Sequence, residues 1–320
     1  PMQLMAMCIA TGNTVVIKAA TNTPMTGLRI MELLDECGLP KGVVNMFTCS
    51  RTETDMLLRH PAIKGVSFIG STPVGKHIYE VARSYGKRVQ CMMGAKNHCL
   101  VLEDCDLERS VRGIVAASYG CAGQRCMALP AVCVQESIAD EFVALTKKYA
   151  QELTMGHADD PAITLGPVVT AEHQKKVLDW IDVGVKEGAE LVLDGRHPKL
   201  PADCAKGFFV GPTIFDHVTE DMSVGREEIF GPVMCIKRVK NFDEGMALCN
   251  ASRYANGMAI YTNSGYYARK FAKMSHSGQI GVNVGIPVTP AVFPFTGQKE
   301  SYMGDVHNNG KDGVRFYTEL

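Results

Sequence analysis

The 320 residues are 46% hydrophobic and 21% charged, with a formal net charge of -1. That is the balance of an ordinary globular chain long enough for a large core and two domains. With no basic excess to neutralise phosphates, the chain is not an electrostatic nucleic-acid binder. No apolar run reaches the roughly 18 to 20 residues of a membrane span. The 12 cysteines include no CxxC pair, so no metal site is expected. Their scatter suits a reducing intracellular compartment better than a disulfide scaffold, and the 17 methionines read as core filler.

The chain opens inside an apolar stretch, Met2, Leu4, Met5 and Met7, with no charged n-region or cleavage site before it. No signal or transit peptide is read there. The expectation is a piece of a longer protein, with these four side chains exposed. Strands are then predicted at 14–17, 43–47, 66–69 and 89–92. Helices are predicted between them, the first capped by Thr23 with Pro24 at its first position and ended by Gly38, the next around 55–59, then 74–83. This alternation predicts a parallel sheet with helices on its faces. A second α/β unit follows, with helices at 107–119, 137–154 and 171–187. Its strands are at 131–134, 190–193, 233–239, 258–262 and 280–284. The expected division is 1–94, 95–296 and a return segment at 297–320.

Cys121-Ala-Gly-Gln-Arg-Cys126-Met is the sharpest local feature. A glycine and small residues precede a cysteine with a fixed cation beside it, and Arg125 favours a thiolate, the nucleophilic form. The same segment also suits a buried structural cysteine. Gly70-Ser71-Thr-Pro-Val-Gly75 joins a predicted strand to a helix, where glycine lets backbone approach phosphate and the helix start offers N–H groups. It lacks the GxGxxG spacing, and taken alone it reads more readily as a plain strand-to-helix turn. Lys18 ends a strand and either holds a ribose or phosphate or emerges into solvent. Glu227-Glu228-Ile-Phe230-Gly-Pro is either a ribose-and-ring contact or a capped turn.

Five segments in order carry a resemblance: Thr11–Lys18, Phe68–Thr72, Gly123–Cys126, Glu227–Pro232 and Pro294–Gly297. Together they resemble the aldehyde dehydrogenase superfamily across nearly the whole chain. Met93-Gly-Ala-Lys-Asn-His98 and Gly123-Gln-Arg-Cys-Met-Ala-Leu129 resemble its CoA-acylating branch, which oxidises methylmalonate semialdehyde. The resemblance implies an α/β fold with a parallel-sheet, NAD-binding coenzyme domain (1–94) followed by an α/β catalytic domain (95–296). It implies NAD as cofactor and coenzyme A as co-substrate. It implies Cys126 as the nucleophile that forms a thioester, and Arg125 as the arginine on the substrate carboxylate. Lys18 falls on the adenosine ribose, Ser71 with Gly70 on the pyrophosphate, Met93 beside the nicotinamide, and Glu228 and Phe230 on its ribose and ring. Thr21 stands where many relatives place a ribose-binding glutamate. Met92 stands where most carry the glutamate that activates hydrolytic water.

The implied reaction converts methylmalonate or malonate semialdehyde to propanoyl-CoA or acetyl-CoA with release of CO2, as in valine and pyrimidine breakdown or inositol degradation. The implied protein is a homo-oligomer, a tetramer when full length, in the mitochondrial matrix of a eukaryote or the cytoplasm of a bacterium. By the same resemblance the chain lacks the first third of such an enzyme, with the asparagine of the oxyanion hole, and a short C-terminal tail. Two alternatives stand beside this reading: a hydrolytic aldehyde dehydrogenase, and a truncated paralogue that only binds.

Overall fold

The computed structural model describes residues 2–319. In chain order the first elements are α1 (Met2–Ala10), β1 (Val15–Lys18), α2 (Met25–Glu36), β2 (Val44–Phe47), α3 (Arg51–Arg59), β3 (Gly65–Ile69), α4 (Thr72–Ser84) and β4 (Arg88–Met92). Next come β5 (His98–Val101), α5 (Leu107–Tyr119), β6 (Ala131–Gln135), α6 (Glu136–Gln151), α7 (Ala171–Lys186), β7 (Glu190–Leu193), β8 (Thr213–Asp216), α8 (Ser223–Arg226) and β9 (Val233–Val239). The chain ends with α9 (Phe242–Ala251), β10 (Tyr254–Ala255), β11 (Gly257–Tyr261), α10 (Gly265–Met274), β12 (Gln279–Val282), β13 (Gln298–Lys299), β14 (Tyr302–Gly304) and α11 (Gly310–Tyr317). Two compact units result, one from the residues up to Met93 together with those from Thr289 onward, the other Gly94–Val288. The later division expected from the sequence is 296/297, whereas the compact units change at 288/289.

In the first unit the four early strands do not form the one parallel sheet expected. β1 and β2 pair in parallel by themselves, while β3 and β4 form a parallel pair that β14 extends in the antiparallel direction. Strand–helix alternation reports the crossovers but not which strands become neighbours. β1 and β2 alternate half-buried and exposed positions, whereas β4 is buried from Val89 to Met92. The helix after β1 begins at Met25 with Pro24 at its cap, one residue later than predicted. Its end is as read, with Gly38 in the left-handed region at φ +76°. The apolar opening segment is a helix, and its expected exposure holds only for Met2. Met5 is 2% exposed. Tyr317 Oη donates to the Leu4 carbonyl over 3.0 Å, and Asn13 Nδ2 donates to the Tyr317 carbonyl over 2.9 Å. The C-terminal helix thus covers α1, a long-range pairing with no local signature.

The second unit is built on a seven-stranded sheet ordered β12-β11-β5-β6-β9-β8-β7, parallel except for β7 against β8. Period-two alternation divides β5 between two cores. Cys99 and Val101 join Val111 and Ile114 of α5 and Phe142 of α6, whereas Leu100 packs with Phe242 and Met246 of α9 and Phe271 of α10. Val177 and Ile181 of α7 pack with Phe215 of β8 in a third cluster. This is the two-faced burial that lets parallel strands read as continuous apolar runs. Among the described residues no helix is long and apolar enough to cross a membrane.

Candidate active site

In the second unit, α5 ends at Tyr119 and the chain turns through three consecutive left-handed residues: Cys121 at φ +53°, Ala122 at +53° and Gly123 at +70°. Only glycine takes that conformation freely, so the turn is held by its surroundings. A Cβ on Gly123 would lie 2.2 Å from the Gly231 carbonyl oxygen. The Gly120–Cys126 loop therefore meets the Glu227–Pro232 loop backbone to backbone. The two segments face one cleft, lined by Ala95, Asn97, Arg125, Cys126, Glu228 and Phe230 among others. Four of the predicted site residues are thus brought together.

Cys126 is half-buried, and its carbonyl is clamped from two sides. It accepts from Asn97 Nδ2 at 2.9 Å and from Asn256 Nδ2 at 3.0 Å. Asn97 uses its remaining capacity on the Ala128 carbonyl at 2.8 Å and the Gly257 N–H at 2.9 Å. Such a fully satisfied buried amide holds the loop rigidly. Neither asparagine is singled out by the sequence, although Asn97 lies inside the Met93–His98 motif. Burial pushes the Cys126 thiol up, its own N–H and that of Met127 pull it back down, and the Glu228 carboxylate pushes it up again.

Glu228 and its neighbour Glu227 separate by partner. Glu227 pairs with Arg253 at 2.5 Å, whereas Glu228 accepts from the Ala95 N–H at 2.9 Å. Burial raises the Glu228 carboxyl, while the Ala95 N–H and the ammonium groups of Lys176 and Lys96 lower it. Phe230 has a left-handed backbone at φ +60° and is 37% exposed. Its carbonyl accepts from His173 Nε2 at 2.7 Å, a contact the sequence did not suggest.

Arg125 Nε donates to Cys121 Sγ over 3.3 Å. No carboxylate pairs with it among the described residues, so a guanidinium without an ion-pair partner lies in the cleft wall beside the thiol.

The remaining predicted residues lie in the first unit. Lys18 is exposed at the end of β1, and Thr21 is exposed in the turn after it. Gly70 and Ser71 are exposed between β3 and α4. The Phe68 ring leaves no room for a Cβ on Gly70, which would sit 2.4 Å from it. Ser71 is the N-cap residue of α4, yet its hydroxyl makes no capping bond. Bare backbone and an unused hydroxyl at a helix start fit an anion such as a pyrophosphate. Met93 is buried, and its side chain fills the space where a Cβ on Gly75 would be, 2.6 Å away. Met92 is 5% exposed, and its carbonyl accepts from the Gly70 N–H at 3.1 Å.

The chain is similar to known proteins along nearly its whole length. The model of the aldehyde dehydrogenase family matches residues 1–320. Malonate-semialdehyde dehydrogenase 1 of Oceanobacillus iheyensis is 45% identical over 318 residues, 99% of this chain and 65% of the relative. The structure of methylmalonate-semialdehyde dehydrogenase from Oceanimonas doudoroffii is 41% identical, with a TM-score of 0.97, and is matched over 100% of this chain and 65% of its own. A Sinorhizobium meliloti 1021 structure complexed with NAD is 40% identical, with a TM-score of 0.97 and the same coverage. The chain therefore spans about two thirds of the length of the proteins it matches, 65% in each case.

Proposed function

Because the chain belongs to the aldehyde dehydrogenase family, we propose that it carries the thiol and cofactor-holding parts of an NAD-dependent enzyme that oxidises malonate or methylmalonate semialdehyde to an acyl-CoA. The observation that carries this reading is the cleft where Cys126, Arg125, Glu228 and Phe230 meet. Semialdehyde dehydrogenases named for these substrates, among them a 45% identical relative, support the substrate class.

In this mechanism Cys126 Sγ attacks the aldehyde carbon as the thiolate, giving a thiohemiacetal. The Asn97 and Asn256 clamp on its carbonyl keeps the loop in place for the attack. Arg125 holds the substrate carboxylate, to which a planar guanidinium offers two parallel donors. When bound, NAD would supply the hydride acceptor for the oxidation that leaves the acyl group on Cys126 as a thioester. In the first unit Lys18, Thr21, Gly70, Ser71 and Met93 are the residues that would contact NAD; in the second, Glu228 and Phe230 are those that would contact its ribose and ring. The thiol of coenzyme A then takes the acyl group from Cys126. With the loss of CO2 and of one hydride, malonate semialdehyde gives acetyl-CoA and methylmalonate semialdehyde gives propanoyl-CoA.

Met92 stands where most relatives carry the glutamate that activates water, and this substitution favours a thiol over water in that last step. A buried methionine provides no base for water, and a thiol substrate needs one less. The test is NADH formation from malonate semialdehyde with and without coenzyme A, in the chain extended to the full length of its relatives and in the Cys126→Ala variant of that protein. Turnover should require both coenzyme A and Cys126. Substantial turnover by the Cys126→Ala protein would remove the nucleophile assignment, and CoA-independent turnover would favour a hydrolytic enzyme.

A further inference from the structure

Gly120 links the end of α5 to the Cys126 loop. Its backbone, φ −53° and ψ 137°, is one that any L-residue adopts, so the chain does not need glycine there for conformational reasons. What excludes a side chain is Arg125. A Cβ on Gly120 would lie 2.4 Å from Arg125 Nη1, 2.7 Å from Cζ and 2.9 Å from Nη2. The guanidinium thus lies flat over the bare α-carbon of Gly120, while its Nε is tied to Cys121 Sγ at 3.3 Å. With no carboxylate to hold it among the described residues, these two neighbours are what set its direction in the cleft wall.

We infer that Gly120 is a specificity-determining residue: by leaving its α-carbon bare it seats the Arg125 guanidinium where it selects aldehydes that carry a carboxylate. This rests on the reading of Arg125 as the carboxylate-binding group. Cys121 is a second positioning residue, whose sulfur takes the Nε–H and leaves the Nη edge of the fork for the substrate. An alanine at 120 fits the backbone, and the three atoms nearest its Cβ all belong to the far end of the flexible Arg125 side chain. The fold therefore survives while the guanidinium is displaced, and the loss falls on recognition rather than on stability.

The experiment compares kcat/KM for malonate semialdehyde with that for propanal in the protein, in Gly120→Ala, in Arg125→Leu and in the double variant, alongside their thermal unfolding midpoints. Gly120→Ala should unfold at the unchanged midpoint and lower the preference for the carboxylate substrate by at least about tenfold, the scale of one charge-assisted hydrogen bond. The double variant should lose no more preference than Arg125→Leu does, because both changes remove one interaction. Cys121→Ala should lower the preference by a smaller factor, and Cys121→Ser should restore it. If Arg125→Leu lowers the preference while Gly120→Ala and Cys121→Ala leave it unchanged, the seat is refuted and the role of Arg125 stands. If Arg125→Leu reduces both substrates equally, the reading of Arg125 itself fails. A Gly120→Ala protein that unfolds early and loses both substrates alike would show a packing role and overturn the inference.

Discussion

His173 donates through Nε2 to the carbonyl of Phe230 over 2.7 Å, at a residue whose backbone is left-handed. A phenylalanine in that region costs energy, and the imidazole on α7 helps to keep it there. The ring of Phe230 then stays open to the cleft. His173→Ala should therefore weaken NAD binding roughly two- to tenfold, the range expected for one lost hydrogen bond. His173→Gln, with a donor of similar reach, should recover part of it. Titration calorimetry with NAD checks this; equal affinity in the alanine variant would show that the loop holds Phe230 without help.

The Glu228 carboxylate raises the Cys126 thiol, in the same direction as burial and against the two N–H groups. The sign follows directly. A raised thiol is mostly protonated at neutral pH, and its thiolate fraction grows as the pH climbs towards the raised value. Glu228→Gln removes the negative charge, so the thiol comes down and more thiolate is present at a given pH. Alkylation of Cys126 by iodoacetamide should be faster in Glu228→Gln than in the parent, and its pH profile should move to lower pH. A profile that moves upward would mean that Glu228 acts on the thiol by some route other than its charge.

Gly123 is the point where the thiol loop and the Glu227–Pro232 loop touch. Its φ of +70° and the Gly231 carbonyl 2.2 Å from a would-be Cβ both exclude alanine. The conformational strain alone costs about 1 to 3 kcal/mol, and the contact lies with backbone that has little room to yield. Gly123→Ala should lower the unfolding free energy by at least that amount and slow alkylation of Cys126, as measured by urea unfolding and thiol labelling. Gly166, with nothing within 4 Å of its Cβ position and no positive φ recorded, is the control and should accept alanine at little cost.

Met92 on β4 is 5% exposed. A glutamate there must desolvate a carboxyl group, which costs roughly 1 to 3 kcal/mol or more when no partner is provided. Met92→Glu should thus be less stable to urea. On the CoA-acylating reading it should also release more free acid when coenzyme A is withheld. Unchanged release of free acid, at undiminished stability, would remove Met92 from the explanation of the acyl acceptor.

Much of this protein is written in local sequence. The apolar runs and their caps mark most strands and helices within a few residues, and α5, β7 and β9 fall at the predicted bounds. Gly123, Cys126, Glu228 and Phe230 stand in motifs short enough to be recognised without coordinates. Local patterns report only on neighbours along the chain. They do not reveal that β1 and β2 part from β3 and β4, that α11 covers the opening helix, or that Arg125 turns towards Cys121. Those outcomes depend on which surfaces meet after the chain has folded back. The same holds for Asn97, Asn256 and His173, whose partners lie 29, 130 and 57 residues away. A hydrogen bond over such a separation leaves no periodicity behind. The residue types that can do the chemistry are legible in the sequence, but the tertiary contacts decide where each of them points.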